Sequence, residues 1–368
     1  MIGSAAARHL AESGTVVALI GPGEAEDRLA SHGPFSSHAD QGRITRVVGR
    51  TAMWTEVAAR SIGRYRDIAD RSGIEFHNPC GFVASYDDAA KWVDRAAAFG
   101  SEACEIDAAT LRTQTGIHVD NGLGIVSEPA PAGFINPRRL VAAQTKLVTA
   151  ARATVIDDAV TGVQRIASGF RLTGPFGDLT ATRILMATGA FGAGLFEWQL
   201  DLERRPRTIV MAALAFDPRI PTFVCGQPPD DRVDEIYWVP PVAYPDGSIR
   251  IKIGGNLKHF TPLGNDELVD WFHGDGNPVE IDSLTNNLRT LLPDSDFGSI
   301  STAPCVITGT NTGVPYIGWA EDGVAVAVGG NGSSAKSSDE LGRLGASLFS
   351  ESGWGSALDP AQFDPQLC

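Results

Sequence analysis

Positive charge is scarce in this chain: 30 Lys and Arg stand against 44 Asp and Glu over 368 residues, a formal net charge of −14. Nucleic-acid binding rests on clustered cations that displace counterions from phosphates, so no nucleic-acid partner is expected. Any anionic ligand must be held by a few local positive groups. Cysteine is also sparse. Cys80, Cys104, Cys225, Cys305 and Cys368 are scattered, with no Cys-x-x-Cys pair and no Cys/His cluster at metal spacing, which leaves a disulfide framework and a structural metal site without support. No apolar run approaches the roughly 20 residues of a bilayer span. The start has neither the basic n-region nor the apolar h-region of a secretory signal. A cytoplasmic protein with no membrane association is the expectation. Internal repeats and low-complexity linkers are missing too, so the two domains expected at this length are read as interleaved.

What is present begins at the first residues, Met1-Ile2-Gly3-Ser4-Ala5-Ala6-Ala7. A dinucleotide fold opens with a buried strand, a Gly-x-Gly-x-x-Gly turn and a helix whose N-terminus faces the pyrophosphate. Here the chain reads as starting inside that turn, with Gly3 as the third glycine and a small-residue helix running to Gly14. Val16 to Ile20 then supplies the continuous apolar run of a strand covered on both faces. The pattern is helix then second strand, and an upstream strand and turn of about ten residues is expected. An alanine-rich helix packed on some other domain accounts for the same residues.

Three stretches have α/β character: Gly3 to Ile74, Asn136 to Trp198 with a helix from Pro137 to Ala151, and Ile300 to the end. Between them, Tyr237 to Pro241 is followed by Pro245-Asp246-Gly247, a tight-turn signal. After it, Ile249-Arg250-Ile251-Lys252-Ile253 alternates as a strand with two different faces does. That pair reads as a hairpin in an antiparallel sheet. The apolar strand around Ile184 ends in Ala187-Thr188-Gly189, where small residues let backbone approach a planar cofactor or its pyrophosphate; an ordinary strand with a glycine turn looks the same.

Four pieces in order carry a resemblance: the turn at Gly3, the segment from Ser36 to Arg46, the strand ending at Gly189, and a C-terminal block comprising Ala303-Pro304-Cys305-Val306 and Val324 to Lys336. Together they resemble the FAD-dependent amine oxidases of the D-amino acid oxidase superfamily, nearest to the monomeric sarcosine oxidase branch, over nearly the whole chain. The resemblance implies an α/β (α+β) fold. It has a Rossmann-like FAD-binding domain lacking its first strand, made of 1–80, 135–205 and 300–368. A substrate-binding domain on a mostly antiparallel sheet, 81–134 and 206–299, is interleaved with it.

Carried over by position, Gly3 lies at the FAD pyrophosphate turn, and Gly189 at the end of the Ala-Thr-Gly strand. Ser37 and Arg43 fall in the loop beside the flavin ring, and the backbone of Val160 at the adenine. Gly329, Gly330 and Gly332 fall in the C-terminal loop closing over the flavin. Arg46 and Lys336 fall where the family binds the substrate carboxylate, with Lys336 also against the cofactor. Lys252 matches the lysine beside flavin N5 that promotes reaction with oxygen, and Cys305 the cysteine joined to the 8α-methyl of the ring. A carboxylate in a closed, low-dielectric pocket needs paired cations, and a guanidinium offers a fixed fork of donors. A buried ammonium stabilises the negative charge that develops as oxygen is reduced. Each position also has a plain structural account. Arg43, Arg46 and Arg50 fall at helical intervals of a solvated face, Lys252 suits an outward position on an alternating strand, and Lys336 sits in a Gly/Ser segment where surface lysines are common.

The chain departs from the pattern in places. Gly21-Pro22-Gly23-Glu24 stands where an acidic residue usually binds the adenosine ribose, leaving Glu24 as a displaced candidate. Ile307 replaces an aromatic residue, Ser333 a histidine, and Asn256 another active-site histidine. His38, His259 and His273 are the candidates for an acid or base. The expected activity is FAD-dependent oxidation of a carboxylate-bearing amine (an N-methyl, cyclic or other amino acid) to an imine, with oxygen reduced to hydrogen peroxide. The expected partners are the small amine and oxygen, and no metal is expected. A dehydrogenase that passes electrons to a partner, and a non-catalytic truncated homologue, remain the alternatives.

Overall fold

The turn signal at Pro245-Asp246-Gly247 joins two long strands, Val233–Ala243 and Ile249–Leu257, which pair antiparallel, and Tyr244 N–H donates to the Ser248 carbonyl at 2.8 Å to close the turn. The structure, a computed structural model, describes residues 1–37, 40–119 and 122–368. Those two strands lie inside an eight-stranded sheet with the order Ile300–Gly309, Glu203–Ala213, Ile249–Leu257, Val233–Ala243, Thr222–Cys225, Phe82–Tyr86, Gly124–Glu128, Cys104–Ile106. Only Thr222–Cys225 and Phe82–Tyr86 run parallel; the other neighbours are antiparallel. Ile300–Gly309, which the sequence division gives to the cofactor side, is thus the edge of this sheet, paired with Glu203–Ala213.

The alternation of Ile249 to Ile253 suggests one open face, and here the structure differs. Residues 251–255 are all buried, because the helix Pro278–Leu291 lays Leu284, Leu288 and Leu291 over Ile236, Ile251 and Ile253 on one face, while Lys252 is buried from the other. Each such aliphatic side chain contributes roughly 1.5–3 kcal/mol by leaving water. Asn277 caps that helix, accepting from the N–H groups of Val279 and Glu280.

The parallel strands are in two pieces. Ala18–Ile20 pairs with Thr154–Ile156, and Ile184–Met186 pairs with Val324–Val328, which also carries Tyr316–Glu321 antiparallel. The helix Ile2–Glu12 packs over them. A Cβ on Gly3 would lie 3.1 Å from the Cβ of Ala187, so the glycine permits the close helix-to-strand approach required where a nucleotide turn leads into its helix. Gly342 does the same for the helix Ser334–Ser347, because a Cβ there would fall 2.6 Å from that of Ala5.

Between these two helices lies a buried ionic knot. Arg8 reaches Asp339 at 2.7 Å, Arg64 of the helix Ala52–Ser72 reaches it at 2.5 Å, and Gln144 of the helix Pro137–Ala150 donates to it at 3.0 Å. Burial alone raises the Asp339 carboxyl; His9, Arg8 and Arg64 outweigh it and hold the group below the usual carboxylate range. Arg43 to Arg50 does not form a helix. Arg43–Thr45 is a strand paired with Gly133–Ile135, and Thr51 caps the helix that follows, so the three arginines do not share a solvated helical face. No described helix is long and apolar enough to cross a membrane.

Candidate active site

The buried basic side chains fall into two groups. The first centres on Lys252, which is 1% exposed. Its Nζ donates to Asp40 Oδ2 at 2.6 Å and to the Gly42 carbonyl, and lies 5.7 Å from the centre of the Tyr237 ring. Arg43 Nη1 stands 3.3 Å from the same Asp40 oxygen, and Arg43 also donates to the Ser37 carbonyl. Burial lowers the Lys252 ammonium to about 8, with Asp40 opposing the fall and Arg43 adding to it. Arg43 is pulled down by burial too, but Asp40 and the Cys305 thiol more than offset this and hold it above its ordinary value. Asp40 ends below the usual carboxylate range: burial raises it, and Lys252 and Arg43 outweigh that. Cys305 is buried and unpaired, and its main-chain carbonyl accepts from Trp271 Nε1 at 3.0 Å.

The second group holds Arg46 and Lys336. The Arg46 guanidinium lies over Phe82 at 4.8 Å and Trp92 at 5.5 Å and donates to the Val48 carbonyl. Lys336 Nζ lies 5.7 Å from the centre of Trp54 and donates to the Ser333 carbonyl at 3.2 Å. Neither forms an ion pair among the described residues. Burial lowers the Arg46 guanidinium. Lys336 falls well below the ordinary lysine value, through burial first and then the repulsion of Arg46 and Arg50. Nearby, Glu235 is taken by Arg50 and by the Tyr86 hydroxyl. Glu128 accepts from the Val47 and Val48 N–H groups and from Ser101. Tyr237 neighbours Lys252 and packs against the core cluster that contains Val47 and Val48.

The remaining sequence candidates surround the parallel strands. Gly189 has φ +60, and a Cβ there would meet nothing within 4 Å. Gly329 and Gly332 have φ of +79 and +73, and Asn331 between them has φ +48, so the loop takes a left-handed path that ordinary residues rarely adopt. Asn331 stabilises it by accepting from Thr310 N–H at 2.9 Å and donating to the Gly329 carbonyl at 2.7 Å. A side chain on Gly330 would collide with Ser334. Val160 packs with Ile20 against the cluster of Phe170, Leu172 and Val324. These features fit an FAD. The helix at Gly3 has no side-chain cap and no acid in its first turn, which leaves its N–H dipoles to an anion. Gly189 is open, and the thiol of Cys305 is unpaired beside Arg43.

The sequence reading missed Asp40, Tyr237 and Asn331. It named others that the structure places in different company. Glu24 pairs with Arg138 at 2.5 Å. Asn256 accepts from Arg207 at 3.1 Å. His273 contacts the Ser31 carbonyl at 2.8 Å, His259 is exposed, and His38 lies outside the described residues. A groove of about 710 Å³ lined by Arg165, Phe170, Arg183 and Trp319 involves none of the candidates. Among the described residues, no cluster of three or more His, Cys, Asp or Glu is placed to hold a metal.

Comparison with known proteins bears on this arrangement. A family model described as FAD dependent oxidoreductase matches residues 1–348. No curated protein matches the chain. Among solved structures, NikD, titled an unusual amino acid oxidase essential for nikkomycin biosynthesis, is 19% identical with a TM-score of 0.79, covering 100% of this chain and 95% of that one. L-Proline dehydrogenase from P. horikoshii is 16% identical with a TM-score of 0.76, covering 99% and 94%. Glycine oxidase from Geobacillus kaustophilus is 18% identical with a TM-score of 0.71, covering 99% and 95%. At these identities the likeness is one of fold: a mixed α/β FAD-binding part joined to a large, mostly antiparallel sheet.

Proposed function

The chain belongs to the FAD dependent oxidoreductase family, and from that premise we propose that it oxidises a small amine bearing a carboxylate to the imine, with oxygen taking the two electrons and two protons to give hydrogen peroxide. The observation that carries this reading is the pair Arg46 and Lys336: two buried basic side chains beside Trp54, Phe82 and Trp92, neither in an ion pair among the described residues, while the nearby carboxylates of Glu235 and Glu128 bond to other groups. Burial and the repulsion of Arg46 and Arg50 weaken the hold of Lys336 on its proton, and a substrate carboxylate beside both groups favours the ammonium and offsets the cost of burying like charges together. The aromatic walls exclude water and strengthen the attraction.

FAD would supply the two-electron acceptor, with the turn at Gly3, the Gly189 strand end and the Gly329 to Gly332 loop as the residues that would hold it and Cys305 as the candidate for a thioether. Arg46 and Lys336 fix the carboxylate, and so the α-carbon, at one end of the pocket. Lys252, beside Tyr237, would hold an ammonium where oxygen is reduced. Replacing Lys252 by Met is expected to slow oxygen uptake far more than anaerobic reduction by substrate. Equal losses in both would contradict this role. Yellow colour remaining with the denatured polypeptide would support the thioether, and colour lost to a filtrate would exclude it.

A further inference from the structure

Lys252 does not stand alone in its pocket. Its carboxylate partner, Asp40, is 212 residues away in sequence, and both are buried, at 1% and 8% exposed. Both carboxylate oxygens of Asp40 are engaged. Oδ1 accepts from Gln41 N–H at 2.6 Å, and Oδ2 meets Lys252 at 2.6 Å and Arg43 at 3.3 Å. The loop that carries Asp40 is pressed onto the strand pair at that point. A Cβ on Gly42 would fall 2.5 Å from Val239, and Val239 is the cross-strand partner of Lys252.

We propose that Asp40 is the positioning residue for Lys252, the counter-ion that aims its side chain and keeps it an ammonium. The inference rests on the role given to Lys252 above. The sign follows from the neighbours. Removing the carboxylate leaves two cations together in a dry site, Lys252 and Arg43, and only the lysine can shed its proton. Burial already disfavours that proton. The other titratable groups around the pair are Tyr237 and Cys305, with Tyr244 and Arg138 behind Asp40; none of these replaces the carboxylate. The lysine-dependent reaction with oxygen therefore has an upper pH limit set by Asp40, and the limit moves to lower pH when Asp40 is neutralised.

The test follows Lys252 directly. Protein labelled with ¹³C at lysine Cε reports on Lys91, Lys146, Lys252, Lys258 and Lys336, and the Lys252→Met protein identifies the signal. Asp40→Asn is expected to move the Lys252 titration down by at least about one pH unit, a tenfold loss of proton affinity, and Asp40→Glu to restore part of it. An unmoved or raised titration overturns the proposal. If Asp40→Asn does not fold, Lys252→Met with ¹³Cγ-labelled aspartate reads the same coupling from the other side, because linkage is reciprocal: Asp40 must then titrate higher, and no change overturns the proposal. A shifted lysine whose oxygen reaction keeps its old pH limit supports the pairing and removes the function assigned to Lys252.

Discussion

The hydroxyl of Tyr65 donates to the main-chain carbonyl of Lys336 at 2.7 Å, tying the middle of the helix Ala52–Ser72 to the first turn of the helix Ser334–Ser347. Tyr65 is 2% exposed, and burial, reinforced by Asp339, raises its phenol above the ordinary range, so it serves as a neutral donor. Phe in its place removes one buried hydrogen bond. The expected cost is about 1–2 kcal/mol of stability, read by urea unfolding. In the oxidase reaction KM is expected to rise more than kcat falls, because the change loosens the carboxylate end of the pocket.

Lys336 trades stability for function. Its folded proton affinity is lowered, chiefly by burial and then by Arg46 and Arg50, so over the interval below the ordinary lysine value the unfolded chain binds the proton and the folded one releases it. Stability therefore rises with pH across that interval. Lys336→Met is expected to be more stable than the parent near neutral pH, by about 1–2 kcal/mol, with a flatter alkaline profile. The same variant should bind a carboxylate inhibitor roughly 10- to 100-fold more weakly, the worth of one charge-assisted hydrogen bond. Thermal unfolding and inhibitor titration together check both halves.

Glu280 is fully buried, with Thr208 and Arg207 as its polar neighbours. Burial pushes its carboxyl up to about 7, against the pull of Thr208 and Arg207. A raised folded value means that its contribution is fully present below the unfolded value near 4.5 and is lost as pH rises through about 7. The loss is on the order of 3 kcal/mol. Glu280→Gln should remove most of this slope, narrowing the difference in Tm between about pH 5 and pH 8. An unchanged slope would place the titration elsewhere.

Order along the chain made Arg43, Arg46, Lys252, Cys305 and Lys336 legible as candidates, and the structure gathers them into two neighbouring groups. The small-residue start was legible for a simple steric reason, since Gly3 must approach Ala187. The counter-ion of Lys252 was not legible. Spacing within one strand reports which face is covered, not which distant loop covers it, and Asp40 reaches Lys252 from a different part of the chain. The alternation around Lys252 misled for the same reason: a charged residue buried by a remote partner has the same pattern as one facing water. Arg43, Arg46 and Arg50 carry helical intervals without a helix, because Arg43 is recruited into a strand by Gly133–Ile135, a pairing that local propensity does not contain.

On the proposed function, Arg46 and Lys336 receive the carboxylate of an amine oxidised by bound FAD. The most direct measurement is the flavin absorbance of purified protein, followed anaerobically as amino acids with N-methyl, cyclic or D-configured amines are added, each beside its analogue lacking the carboxylate. The account predicts a yellow protein bleached by at least one carboxylate-bearing amine and not by its decarboxylated analogue, with bleaching weakened at least tenfold in Lys336→Met. A protein that remains colourless with added FAD, or one bleached equally well without the carboxylate, would contradict it.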